Sequence, residues 1–205
     1  DGVVVVMHDP TIDRTTNQEG SVDGWTFSQL READAGGWFG PGFAGERIPT
    51  LQEVFDLVRH RAVAVVEIKA DWLAERVLKV AHDVDVVDQI VIQSFSPETV
   101  RRINAVDPSV PTAFLLGNLP TSPARMRARG VAREVLAVGA NILNVWHAAL
   151  TPPFFEEIRK RGVSVWTWTV DEEAVMRDVI QMGVQGVITN HPDRLNRVLE
   201  ELENE

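Results

Sequence analysis

Histidine, carboxylate, lysine and aromatic side chains stand at the ends of successive apolar runs in this sequence. The first run, Val3 to Met7, ends in His8 and Asp9. The second ends "VVEIK", which sets Glu67 and Lys69 two residues apart. The third ends in Gln93, Ser94 and Phe95. The fifth ends in Asn144, Trp146 and His147. The sixth ends in Trp166, Trp168 and Asp171, and the seventh in Asn190 and His191. A histidine can move a proton near neutral pH. On a strand, residues two apart point the same way, so Glu67 and Lys69 share one face. A carboxylate and an ammonium there suit a cation and a phosphate, each the partner that such a group needs when it leaves water.

Each residue also has a plainer reading. A strand-end histidine on its own is more often structural than catalytic, and this applies to His8. Glu67 and Lys69 can be a simple ion pair at a rim. Of Trp166 and Trp168, one is expected to pack in the core, and Trp168 is the one nearer its strand's C-terminal end. His147 and His191 read as loop-closing residues. The convergence of polar and aromatic groups on one kind of position carries more weight than any one of them.

The elements that must hold these residues recur with a regular rhythm. From the second run on, the starts at Ala62, Gln89, Pro111, Ala140, Val163 and Gly186 are spaced by 27, 22, 29, 23 and 23 residues. Helical patterns lie between them: Thr50 to Arg59, Trp72 to His82, Pro97 to Val106, Pro123 to Val138, Pro152 to Arg161, Glu172 to Met182 and Pro192 to Leu202. In the first, Thr50 and Glu53 have the spacing of a capping box. Several start at Ser, Thr or Asp followed by Pro or Glu, and several stop at Gly, as at Gly139, Gly162 and Gly183. Strand alternating with helix predicts parallel strands in βα units.

The even spacing favours a (β/α)8 barrel, and no G-x-G-x-x-G follows a strand to favour a dinucleotide fold. Seven runs are one short of eight. The expectation is therefore a TIM barrel whose first strand and helix precede Asp1, with residues 1–205 forming a single barrel domain. One connection breaks the rhythm. Residues 10–49 hold no barrel strand but contain Trp25, Phe27, Leu30, Trp38, Phe39 and Phe43 in a Gly-rich setting. A loop this long without structure is uncommon unless functional. It reads as a cap insertion after the second barrel strand, lying over the barrel mouth.

Composition narrows the function classes. The 205 residues are 44% apolar and 24% charged, with a formal charge of −10 and no cysteine. Disulfide and thiolate chemistry are excluded. The acidic balance argues against a nucleic-acid partner. No stretch reaches the ~18 consecutive apolar residues of a membrane helix, so stable membrane insertion is not expected. The expected setting is cytoplasmic.

Three stretches, taken together, resemble one family. They are His8 to Phe55, with its H-D-x-x-x-x-R-T-T, G-x-W-F and I-P-T-L-x-E-V patterns, then "VVEIK" and "VWTWTV" in order. They closely resemble the glycerophosphodiester phosphodiesterase family, over essentially the whole chain. The resemblance implies a metal-dependent TIM-barrel enzyme that cleaves glycerophosphodiesters to glycerol 3-phosphate and an alcohol. It implies two histidines as general acid and base, and attack by the glycerol hydroxyl to give a cyclic phosphate that water opens. His8 matches the second histidine, Glu67 a ligand of the divalent cation (Mg²⁺ or Ca²⁺), and Lys69 the phosphate-contacting lysine. Phe95 and Trp168 match aromatic residues on the glycerol side. The family's His-Arg pair and its Glu-x-Asp ligand pair are expected before Asp1 and are not in this sequence. Three alternatives stand beside this reading: a lysophospholipase D-like enzyme, a sphingomyelinase D-like enzyme, and a non-catalytic barrel.

Overall fold

A computed structural model describes residues 1–117 and 124–204. Pro123, the expected start of one helix, lies outside them. The chain divides into two compact units, residues 1–64 with 76–89 and residues 65–75 with 90–205.

The first unit begins in extended chain. The five apolar residues from Val3 to Met7 predict a strand covered on both faces, and the structure differs. Val5 makes one antiparallel bridge to Thr50. The neighbouring N–H groups go the same way: Val6 donates to the Pro49 carbonyl and Leu51 to that of Val4, each at 2.9 Å. The run thus pairs with the end of the insertion, and no parallel ladder forms on it among the described residues. Val3 and Val6 are exposed, while Val5 and Met7 pack on a small core of Ile12, Leu30 and Ile48. Val22, Trp25 and Ala35 complete that core, so the insertion has an apolar centre of its own. Helix α1 (Phe27–Leu30) opens with a capping box between Thr26 and Gln29. Helix α2 (Leu51–Val58) opens with the expected box between Thr50 and Glu53, which satisfies two N–H groups that the first turn leaves over.

The second unit is built on a parallel sheet. Its strands are β1 (Ala64–Glu67), β2 (Ile90–Ser94), β3 (Thr112–Leu116), β4 (Ile142–Trp146), β5 (Ser164–Trp168) and β6 (Gly186–Val187), and each pairs with the next in sequence. The helices between and after them are α3 (Ala74–Val84), which falls mostly in the first unit, and α4 (Pro97–Val106), α5 (Ala124–Ala137), α6 (Pro152–Arg159), α7 (Glu173–Met182) and α8 (Pro192–Glu203). Sequential parallel strands with a helix after each are the order of a TIM barrel. Six of the seven expected strands are present, and the helical patterns fall within a few residues of their predicted bounds. Gly139, Gly162 and Gly183 have positive φ at the helix ends where a left-handed residue was expected.

Alternation along the strands sorts the side chains. Phe114, Leu143, Val145 and Val165 face the helices and pack with Val100, Val131, Val135, Phe154, Phe155 and Ile158. The opposite face carries a layer of Val91, Ala113 and Ile142 with Trp166 packed on it. Trp166 presses on the backbone of β6: a Cβ built on Gly186 would lie 2.7 Å from the indole. Only glycine leaves room for that ring.

Candidate active site

Glu67 closes β1, and Lys69 lies two residues on. The ladder continues between them, because the Ile68 N–H donates to the Gln93 carbonyl at 2.9 Å. The backbone therefore keeps its alternation, and the two side chains emerge on one face. Lys69 Nζ donates to Glu67 Oε1 at 2.7 Å, with both side chains partly exposed. A rim pair of this kind adds roughly 0–1 kcal/mol to stability. The pair is thus a small structural asset that keeps one carboxylate and one ammonium together at the C-terminal end of a barrel strand. Asp71, four residues after Glu67, is otherwise engaged. The hydroxyls of Ser96 and Thr99 at the start of α4 hold its carboxyl below the usual carboxylate range.

An aromatic wall stands on other strands of the same sheet. Phe95 follows β2 and Trp168 closes β5; their rings meet edge to face, with centroids 5.6 Å apart and planes at 85°. Trp168 is held by its indole N–H, which donates to the Asn144 carbonyl at 3.2 Å. Gly117, just past β3, leaves its side open to both rings: a Cβ there would touch them at 3.8–3.9 Å. Trp166 packs in the core and Trp168 on the wall, the division expected from their order along the strand. Trp146 is exposed beside His147. His191 serves its loop: its N–H donates to Thr189, and its carbonyl receives the N–H groups of Arg194 and Leu195.

His8 lies in the first unit and is part of a three-residue array. Its Nδ1 is 2.6 Å from Asp9 Oδ1. Arg14 grips the same carboxylate with two donors, Nε to Oδ2 at 2.6 Å and Nη2 to Oδ1 at 3.1 Å. Arg14 first, and then His8, hold the Asp9 carboxyl well below the usual carboxylate range. An ionised carboxylate only accepts, so His8 Nδ1 is the donor and Nε2 is left to take or give a proton. The ring itself is open to solvent. Sequence reading named His8 and missed the array. The sign that could have shown it is the arginine of H-D-x-x-x-x-R, whose fork matches a carboxylate.

Among the described residues no group of three or more His, Cys, Asp or Glu side chains could hold a metal ion. These residues therefore do not form a closed cation cage. The Glu67 carboxylate, beside Lys69, could give one oxygen ligand to a hard ion such as Mg²⁺, which commonly takes one or two carboxylates and fills its shell with water and substrate phosphate.

Comparison with known proteins places the chain. The profile of the glycerophosphoryl diester phosphodiesterase family matches residues 1–194. A glycerophosphodiester phosphodiesterase of Caldanaerobacter subterraneus subsp. tengcongensis is 34% identical over 201 residues, covering 95% of this chain and 79% of that protein. One from Bacillus subtilis is 32% identical over 217 residues, covering 97% and 72%. Among solved structures, the glycerophosphodiester phosphodiesterase of Agrobacterium tumefaciens aligns with a TM-score of 0.78 at 26% identity, covering 94% of this chain and 80% of that one. A phosphodiesterase of Oleispira antarctica, solved with the product sn-glycerol-3-phosphate, has the same fold, with a TM-score of 0.84 at 19% identity and coverage of 97% and 80%. The chain is thus a TIM-barrel-like α/β protein, and it belongs to the glycerophosphoryl diester phosphodiesterase family.

Proposed function

We propose that this chain hydrolyses glycerophosphodiesters to glycerol 3-phosphate and an alcohol, with His8 as one acid/base, Lys69 on the phosphate, and Phe95 and Trp168 along the glycerol. Family membership makes it a phosphoric diester hydrolase. The observation that carries the finer reading is the arrangement at the strand ends of one sheet. A charged pair, Glu67 and Lys69, and an aromatic wall, Phe95 and Trp168, both stand there. The substrate has the same two parts, an anionic diester and a small carbon skeleton.

The roles follow from charge. A phosphodiester is a poor electrophile because its oxygens are negative. Lys69 offers a compact positive charge, and Glu67 takes only one of its three donors. Positive charge aimed at those oxygens favours the transition state over the ground state. An incoming hydroxyl oxygen, from the glycerol or from water, bonds to phosphorus and gives up its proton to solvent as the bond to the leaving oxygen breaks, and the departing alkoxide needs a proton. His8 can supply that proton through Nε2, with Nδ1 fixed on Asp9. Glu67 supplies one oxygen ligand to a divalent cation, Mg²⁺ or Ca²⁺. When bound, that ion adds positive charge at the phosphoryl oxygens.

The test is release of glycerol 3-phosphate from glycerophosphocholine by the full-length protein and its His8→Ala variant. The variant should lose on the order of 10²–10⁴-fold in kcat, the usual worth of a positioned acid/base. Near-normal turnover would refute the role. One observation favours a second, lipid-directed reading. Trp38, Phe39 and Phe43 of the insertion are 54%, 67% and 50% exposed. They stack edge to face, with centroids 5.6 and 5.1 Å apart. Exposed aromatic clusters of this kind suit an acyl chain or a lipid surface.

A further inference from the structure

Two side-chain amides are buried in the sheet of the second unit, directly above its apolar layer. Gln93 on β2 is 7% exposed and Asn144 on β4 is 0% exposed. Asn144 Nδ2 donates to Gln93 Oε1 at 2.8 Å, so the bond spans from β2 to β4 over the intervening strand. Asn144 Oδ1 is buried and has no hydrogen-bond partner among the described residues. Burying amides is costly, and leaving one acceptor unmatched costs more. Two apolar side chains of similar size would fill the same space without that cost. Stability alone does not account for the pair.

The residues that the pair joins give it a purpose. Gln93 lies two residues before Phe95, on the same face of its strand. The Asn144 carbonyl is the acceptor for the Trp168 indole. The hydrogen bond between the two amides thus links the strand that carries Phe95 to the residue that anchors Trp168. Below it, Trp166 belongs to the core layer. Above it, the two rings meet at 5.6 Å.

We propose that Gln93 and Asn144 are positioning residues, whose mutual hydrogen bond sets the spacing and tilt of the Phe95–Trp168 wall and so determines selectivity for the glycerol half of the substrate. This rests on the reading of that wall as the glycerol side of the site. A buried, directional tie between strands restricts the wall to one geometry, which apolar packing at the same place would not do. The unmatched Oδ1 is the cost of that restriction.

The decisive variant is Gln93→Leu/Asn144→Leu in the full-length protein, because removing both polar partners together keeps the core satisfied. Three quantities are measured: the melting temperature, steady-state kinetics on glycerophosphocholine, and hydrolysis of bis(p-nitrophenyl) phosphate, which has no glycerol. The expected result is a folded protein whose KM for glycerophosphocholine rises on the order of tenfold. Its kcat and its rate on bis(p-nitrophenyl) phosphate stay near wild type. Wild-type KM in the folded double variant would overturn the proposal. If the double variant does not fold, Gln93→Met is measured, since its side chain is long and adaptable and its sulfur accepts from Asn144 only weakly. The same KM rise is expected, and wild-type KM would again overturn it. Phe95→Ala separates the two levels of the argument. If it leaves KM unchanged, the glycerol-wall reading falls and this proposal with it. If it raises KM while the double variant does not, only the role of the amides falls.

Discussion

At the scale of single residues, the central feature is a histidine whose ring is aimed by its neighbour. His8 and Asp9 were visible in the sequence as a strand-end pair. Arg14 was visible only as a letter in a pattern, because its bond to Asp9 closes a turn and no strand or helix period places it there. Once that bond is known, the pH behaviour follows. Arg14 and His8 depress the folded-state pKa of Asp9. A depressed carboxylate contributes stability above its ordinary pKa and loses it only as pH falls through the lower folded value. Asp9 should therefore stay ionised through the range where an ordinary aspartate, with a pKa of about 3.9, takes up its proton. The Asp9 carboxyl carbon, followed by NMR, should not titrate between about pH 5 and pH 3. A midpoint at the ordinary value would mean that the array is not formed in solution.

At the scale of elements, most of the sheet was legible and its edges were not. The rhythm of apolar runs gave six strands that are present, and the capping boxes and terminal glycines marked helix ends. The Val3 to Met7 run misled because five apolar residues in a row read as a doubly covered strand. Its N–H and C=O groups pair with Pro49 to Leu51 instead, a long-range choice that no local pattern records. The aromatic wall was half legible: residue type and strand end pointed to Phe95 and Trp168, but the amide tie beneath them joins strands far apart in sequence. A further constraint was hidden in a common residue. Gly186 looks like an ordinary strand start, yet Trp166 lies where its Cβ would be. Gly186→Ala should force the indole or β6 to shift and destabilise the fold by about 1–3 kcal/mol, the usual cost of overpacking. Urea unfolding of the variant measures this, and unchanged stability would show that β6 yields freely.

At the scale of the whole molecule, composition excluded more than it identified. The charge of −10 argues against a nucleic-acid partner, and the absence of cysteine removes thiol chemistry from these residues. Among the described residues no helix is long and apolar enough to cross a membrane. What remained legible was a barrel, and the family follows from motifs that run through both compact units. Substrate choice is not written at that scale. It depends on loops such as the insertion with its exposed Trp38, Phe39 and Phe43. Parallel assays on glycerophosphocholine and lysophosphatidylcholine address it. The main reading expects faster turnover of the first, and the reverse order would favour the lipid-directed one. Trp38→Ala/Phe39→Ala should lower only the activity on lysophosphatidylcholine.

The central claim is that the Glu67–Lys69 strand end handles the diester's charge together with a divalent cation. The most direct measurement is glycerol 3-phosphate release from glycerophosphocholine by the full-length protein and by Glu67→Gln, across a titration of Mg²⁺ or Ca²⁺ and after chelation. Chelation should abolish turnover and added cation restore it, with Glu67→Gln needing far more cation and reaching a lower plateau. Turnover unaffected by chelation, or a Glu67→Gln variant that follows the wild-type curve, would contradict that claim.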